Sequence, residues 1–133
     1  VAFTGAPDEQ AGTEALAAGV GADRCFSVAG QTSLRQLMTL YSNADVLVTN
    51  DSGPAHFAAL TEIDVITLFG PEHPKLFGAR GPRSHIFWEG IDCSPCVNAY
   101  NNRTSPCRNN VCLQGIEVDR VFDKVCEVLA RRR

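Results

Sequence analysis

Short apolar runs alternate with amphipathic stretches along most of the chain, the order of signals that a parallel sheet with helices on its faces produces. Residues 1–4, Val1-Ala2-Phe3-Thr4, predict a first strand. Gly5-Ala6-Pro7-Asp8-Glu9 then turns into a helix whose acidic first turn suits the helix dipole and whose apolar face is Leu16, Ala17 and Val20, ending at Gly19 and Gly21. Cys25-Phe26-Ser27-Val28 predicts a second strand. After it, Thr32 or Ser33 caps a helix with Leu34, Leu37, Met38 and Tyr41 on one side. Residues 45–49 read as the third strand and the most central one, because their interior is continuously apolar and β-branched. A helix over 53–60 follows at once. Residues 64–69 form a fourth buried strand closed by Gly70-Pro71, and residues 84–88 a fifth, nearer an edge.

Residues 90–114 have no period and contain four of the six cysteines. A loop of that length needs a cross-link, a functional role or disorder. A helix over about residues 116–130 closes the chain, with Val118, Val121, Phe122, Val125, Val128 and Leu129 at the spacing of one face, and docking on its own domain is the expectation for that stripe. The reading is therefore one domain, 1–133, of the α/β class: a Rossmann-like parallel sheet with helices on both faces.

Composition narrows the function. A formal net charge of −3 without a basic stripe argues against nucleic acid as partner. Arg131-Arg132-Arg133 complements the negative end of the last helix and reads as a solvated tail without function. Apolar runs fall short of the roughly 20 residues of a spanning helix. The start at Val1 lacks the basic n-region and apolar core of a signal peptide, so the numbering is expected to begin mid-protein and the cysteines to sit in a reducing cytoplasm.

The most informative segment is Val46-Leu47-Val48-Thr49-Asn50-Asp51-Ser52-Gly53-Pro54-Ala55-His56, which joins a buried strand to a helix with almost no loop. Gly53 permits a sharp turn and close backbone approach, and Pro54 suits the first helical turn. Free N–H groups near Ser52, Gly53 and Ala55 at a positive helix terminus then suit a diphosphate, with the Ser52 hydroxyl and His56 beside them. An ordinary cap at Asp51-Ser52 with a surface His56 is the competing reading of that segment alone. Ligands in open parallel sheets sit beyond the carboxyl ends of strands, where Gly5, Asp51 to Gly53 and Gly70-Pro71 all fall. Neither a Gly-x-Gly-x-x-Gly after the first strand nor a Gly-x-x-x-x-Gly-Lys is present.

Ala44 to Leu60 (ADVLVTNDSGPAHFAAL), followed by Val65-Ile66-Thr67-Leu68-Phe69-Gly70-Pro71, resembles the hallmark of the heptosyltransferases, glycosyltransferase family 9. Ala29-Gly30-Gln31-Thr32-Ser33-Leu34 and Thr4-Gly5 resemble the family's upstream segments, so the similarity covers nearly the whole chain. The resemblance implies one half of a GT-B enzyme, the C-terminal domain that binds a nucleotide-diphospho-sugar donor. It implies that Asp51, Ser52 and Gly53 meet the donor's diphosphate or sugar, that His56 lies beside them, that Thr32 lies near the base, and that Gly5 flanks the ribose. It also implies inverting transfer of a sugar, in the family a heptose from an ADP-linked donor, to a lipopolysaccharide core without a divalent metal or other cofactor. An N-terminal acceptor domain carrying the general base, and a phosphate-holding lysine, would precede Val1. This chain would then lack a catalytic residue of its own, be inactive alone, and belong to a cytoplasmic enzyme peripheral to the inner membrane through that domain, which would also meet the glycolipid acceptor. Where many relatives have Gly-Pro-Thr-x-Pro, this chain has Gly70-Pro71-Glu72-His73-Pro74, so Glu72 replaces a hydroxyl.

Cys93-x2-Cys96, a gap of ten, and Cys107-x4-Cys112 fall within the spacing of a structural zinc site, but structural thiols, partly disulfide-bonded or free, and a redox role fit as well. Cys25 and Cys126 are expected as buried small apolar residues, and His73 and His85 as surface histidines. Rival functions are a stand-alone nucleotide-binding module and an interaction module organised by zinc.

Overall fold

The computed structural model describes residues 1–21 and 23–132, so Arg133 of the basic tail lies outside the described residues. The chain groups into two compact units, Val1–Thr39 and Leu40–Arg133.

In the first unit, β1 (Ala2–Phe3) and β2 (Phe26–Ser27) pair in parallel across the helix α1 (Gln10–Val20), a βαβ crossover. The pairing is extended by Phe26 N–H to Val1 O, Val28 N–H to Phe3 O and Gly30 N–H to Gly5 O. The expected apolar face of α1 is corrected: Ala17 is buried while Leu16 and Val20 are exposed. Thr13 and Ala17, four apart on one helical face, turn toward β2, where the Thr13 and Ser27 hydroxyls lie 2.8 Å apart; that rotation carries Leu16 and Val20 to the side. The helix ends at Gly21, whose φ of 110° suits glycine. The helix α2 (Leu34–Ser42) is capped by Ser33, whose N–H and hydroxyl both meet the Gln36 side chain, so the cap does not involve Thr32.

In the second unit, β3 (Val46–Asn50), β4 (Asp64–Leu68) and β5 (Ser84–Phe87) form a parallel sheet in that order. The expected centrality of β3 is corrected. The strand paired on both sides is β4, with Val65, Ile66 and Thr67 essentially sealed from solvent, whereas Val48 of β3 is exposed. The helices α3 (Gly53–Ala58) and α6 (Val118–Arg131) both pack on β3 and β4, and two short helices, α4 (Pro74–Phe77) and α5 (Val111–Gln114), complete the unit. Residues 90–114 are thus partly ordered, with a helical turn at Ala99–Asn101 and α5 at their end.

The stripe of α6 docks only in part on its own unit. Val128 is buried, but Val118 and Phe122 are exposed along an apolar groove of about 380 Å³ shared with Leu68 and Leu113. What fixes α6 is its end. Arg132, expected in a solvated tail, donates from Nε (3.2 Å) and Nη2 (2.9 Å) to Asp64 Oδ2 and from Nη2 to Glu62 O. His85, expected at the surface, is half-buried with Nε2 2.7 Å from Asp64 Oδ1. Burial alone would raise the Asp64 carboxyl, but the hydrogen bonds from His85 and Arg132 outweigh it and hold the group below its ordinary value. This cluster sits at the amino end of β4, the rim opposite the elbow. Cys25 is buried as expected, whereas Cys126 is exposed. No helix of the described residues is long and apolar enough to cross a membrane.

Candidate functional site

Register decides where the site forms. Asn50 of β3 pairs with Leu68 of β4, and Leu68 with Phe87 of β5, so the three strands end level. Asp51 N–H donates to Leu68 O at 3.2 Å and Phe69 N–H to Phe87 O at 2.8 Å, which locks the three outgoing segments side by side. A cavity of about 560 Å³, well within the range of small-molecule sites, opens at that rim. Asn50, Asp51, Ser52, Gly53 and His56 form one wall, Gly70, Pro71 and Glu72 another, and Phe77, Val97, Arg103 and Leu113 close it.

The elbow is not an ordinary side-chain cap. Ser52 stands at the cap position of α3 in extended conformation, yet its hydroxyl donates to Asn50 O at 3.3 Å rather than receiving a helix N–H. Among the described residues, the Ser52 and Gly53 N–H groups have no acceptor. The Ala55 N–H, expected free, donates to Ser52 O at 3.1 Å. With six residues, α3 carries only a small dipole, so the electropositive character of the elbow comes from those two N–H groups and from side chains rather than from a macrodipole.

Gly53 has no left-handed backbone, and a Cβ there would meet only Phe57 Cε2 at an ordinary 3.5 Å. The expected need for glycine in the turn is corrected: the backbone there suits any residue, and Gly53 lines the cavity without a side chain. Gly70 differs. A Cβ there would lie 2.7 Å from Leu113 Cγ, so glycine allows α5 to seat on the rim.

Four of the sequence-derived residues, Asp51, Ser52, Gly53 and His56, therefore come together. Gly5 and Thr32 belong to the first unit, where Gly5 follows β1 with its carbonyl bound by Gly30 N–H at 2.9 Å and Thr32 is half-buried just before α2. Glu9, which follows Gly5 in the turn, accepts from Ala6 N–H at 2.7 Å.

Sequence reasoning missed Arg103 and the part played by the cysteine loop. The loop leaves β5 at the same rim and folds over it: Cys96 and Val97 N–H donate to Pro71 O at 2.9 and 3.0 Å, and Ser94 Oγ donates to Gly70 O at 2.5 Å while accepting from Trp88 Nε1 at 3.2 Å. His73 is packed against Trp88, ring centroids 5.0 Å apart, and its Nδ1 accepts from Lys75 N–H. Arg103 then meets Glu72 through two hydrogen bonds and lies 4.7 Å above the Phe77 ring. The available signal was topological, since any loop that follows a parallel strand starts at the ligand rim. Asp51 responds to this setting: burial first, then Glu72, raises its carboxyl, while His56 and Arg103 oppose the rise.

The loop cysteines do not gather. No group of three or more His, Cys, Asp or Glu among the described residues is arranged to hold a metal ion. All six thiols are free; Cys93 and Cys107 are exposed and Cys112 is buried.

Over 87 residues the chain is 40% identical to lipopolysaccharide heptosyltransferase 2 of Salmonella typhimurium, covering 64% of this chain and 24% of that protein. Over 104 residues it is 21% identical to lipooligosaccharide heptosyltransferase 2 of Campylobacter jejuni, covering 77% and 31%. The solved structure of E. coli ADP-heptose lps heptosyltransferase II matches with a TM-score of 0.77 at 20% identity, over 99% of this chain and 37% of that one. A glycosyl transferase family 9 structure from Veillonella parvula matches at 0.74 and 18% identity, over 98% and 36%. These likenesses establish the fold as a Rossmann-like α/β domain matching one half of a GT-B glycosyltransferase. The chain spans between 24% and 37% of the length of these relatives. Residues 1–105 match the profile of glycosyltransferase family 9 (heptosyltransferase), and the chain belongs to that family.

Proposed function

We propose that this chain is the C-terminal, donor-binding half of an inverting, metal-independent glycosyltransferase that moves a heptose from an ADP-linked donor to a lipopolysaccharide core. The single observation that supports it best is the rim cavity, in which Ser52 and Gly53 offer two unused N–H groups beside His56 on a chain of this family. In this reading those N–H groups and His56 meet the diphosphate and stabilise the charge that develops on it as it leaves. Asp51, being acidic, is better suited to sugar hydroxyls than to phosphate. Gly5 and Thr32 serve the ribose and base. A base in an acceptor domain outside this chain activates the acceptor hydroxyl, and that domain meets the glycolipid at the cytoplasmic side of the inner membrane.

Calorimetric titration of ADP-heptose, UDP-glucose and GDP-mannose into the chain tests this, together with an assay for transfer to heptose-free core. The expected result is binding of ADP-heptose in preference to the other two, with no transfer. Preference for another nucleotide would overturn the donor assignment, absence of any binding would overturn the donor-domain reading, and transfer by the chain alone would overturn the need for a second domain.

A further inference from the structure

The cavity has an unbalanced set of charges. Asp51 and Glu72 are acidic, and among the lining residues Arg103 is the one permanent cation. A diphosphate entering a site with two carboxylates needs a fixed countercharge, and a planar guanidinium matches phosphate oxygens two at a time.

Arg103 is held in a specific way. Its Nε donates to Glu72 Oε1 at 3.0 Å and its Nη2 to Glu72 Oε2 at 2.8 Å, so one edge of the guanidinium is occupied. Phe77 lies under its face. The Nη1 side has no acceptor among the described residues, and the Arg103 side chain is 58% exposed whereas that of Glu72 is 12% exposed. Glu72 is thus the anchored partner and Arg103 the one presented. The backbone supports the same geometry. Asn102 and Arg103 both occupy the left-handed region, at φ 52° and 56°, which side chains other than glycine rarely adopt. Reciprocal hydrogen bonds between Asn98 and Asn101, a bond from Asn101 Nδ2 to Cys96 O, and Arg103 N–H to Asn98 O hold the turn in that form.

We infer that Arg103 is a further diphosphate-recognition residue of this cavity, beside the Ser52 and Gly53 N–H groups and His56, and Glu72 its positioning partner, an inference that rests on the donor-site reading above. The cysteine loop is then the element that delivers the cation to the rim, and Glu72 acts on the donor through Arg103.

Amide chemical-shift titrations of the chain with ADP and with adenosine test this in the wild type, Arg103→Ala, Arg103→Lys and the double variant Glu72→Gln/Arg103→Gln. The double variant replaces the ion pair with two amides that can hydrogen-bond, removes both charges, and leaves the loop's ties from Cys96 and Val97 N–H to Pro71 O untouched. Expected are a loss of ADP affinity of about tenfold or more in Arg103→Ala and in the double variant, an intermediate loss in Arg103→Lys, and unchanged adenosine affinity throughout. Wild-type ADP affinity in the double variant, or equal losses for ADP and adenosine, would make Arg103 a structural tie and overturn the inference. A wild type that binds neither compound would overturn the donor-site reading itself.

Discussion

Leu113 occupies the space that a side chain at Gly70 would need, with its Cγ 2.7 Å from the position of a Cβ. Because Gly70 is buried and its carbonyl also receives the Ser94 hydroxyl, a methyl group there must displace α5 or the loop. Gly70→Ala is expected to lower stability by about 1–3 kcal/mol, the usual result of overpacking a filled site. Urea unfolding checks it, and an unchanged midpoint would mean that Leu113 moves freely.

Gly53→Ala is the opposite experiment. The backbone there is ordinary and a Cβ has room, so the variant should be as stable as the wild type or slightly more so, by up to about 1 kcal/mol. Gly53 lines the cavity, so the variant adds a methyl group at the proposed donor contact. Loss of ADP binding with retained melting temperature is expected from calorimetry and thermal unfolding; retention of both would remove Gly53 from the donor contact.

Much of the fold was legible in the sequence because each strand is a short apolar run bounded by turn residues, and all five were placed within a residue or two. The elbow was legible for the same reason, since Asp51 to His56 follow a strand directly. Three things were not. Register, which aligns Asn50 with Leu68 and Phe87, comes from pairing rather than from any one segment. Arg103 carries no local pattern, and only the return of its loop to Pro71 brings it to Glu72. Asp64 and Arg132 are far apart in sequence, so nothing local to the basic tail signals that Arg132 binds the amino end of β4.

That tether gives a pH dependence. The folded Asp64 carboxyl lies below the ordinary value of 3.8, so its stabilisation is fully present above 3.8 and is lost as pH falls through the lower, folded value. Asp64→Asn should cost about 1–3 kcal/mol at neutral pH, from lost charged hydrogen bonds to His85 and Arg132. In denaturant unfolding the gap between wild type and variant should close below pH 3.8. A gap unchanged down to pH 2 would show that the charge of Asp64 contributes nothing.

The thiols should separate by exposure. Cys93, Cys107 and Cys126 are expected to react with an alkylating reagent in the native state, and Cys25 and Cys112 only on unfolding. Since no metal-ligand cluster forms among the described residues, chelator should leave the melting temperature unchanged. One zinc per chain, with melting lowered by chelator, would restore the zinc reading of the loop.

If the rim cavity receives the diphosphate of a nucleotide donor, amide shifts mapped during titration with ADP, and separately with UDP and GDP, will show it. The largest changes are expected at Ser52 and Gly53, with His56 and Arg103 following, because the first two carry the unused N–H groups and the others line the same cavity. His56→Ala should weaken the response without abolishing it. If saturating nucleotide leaves those amides where they are, or moves only residues away from the rim, the cavity is not the donor site.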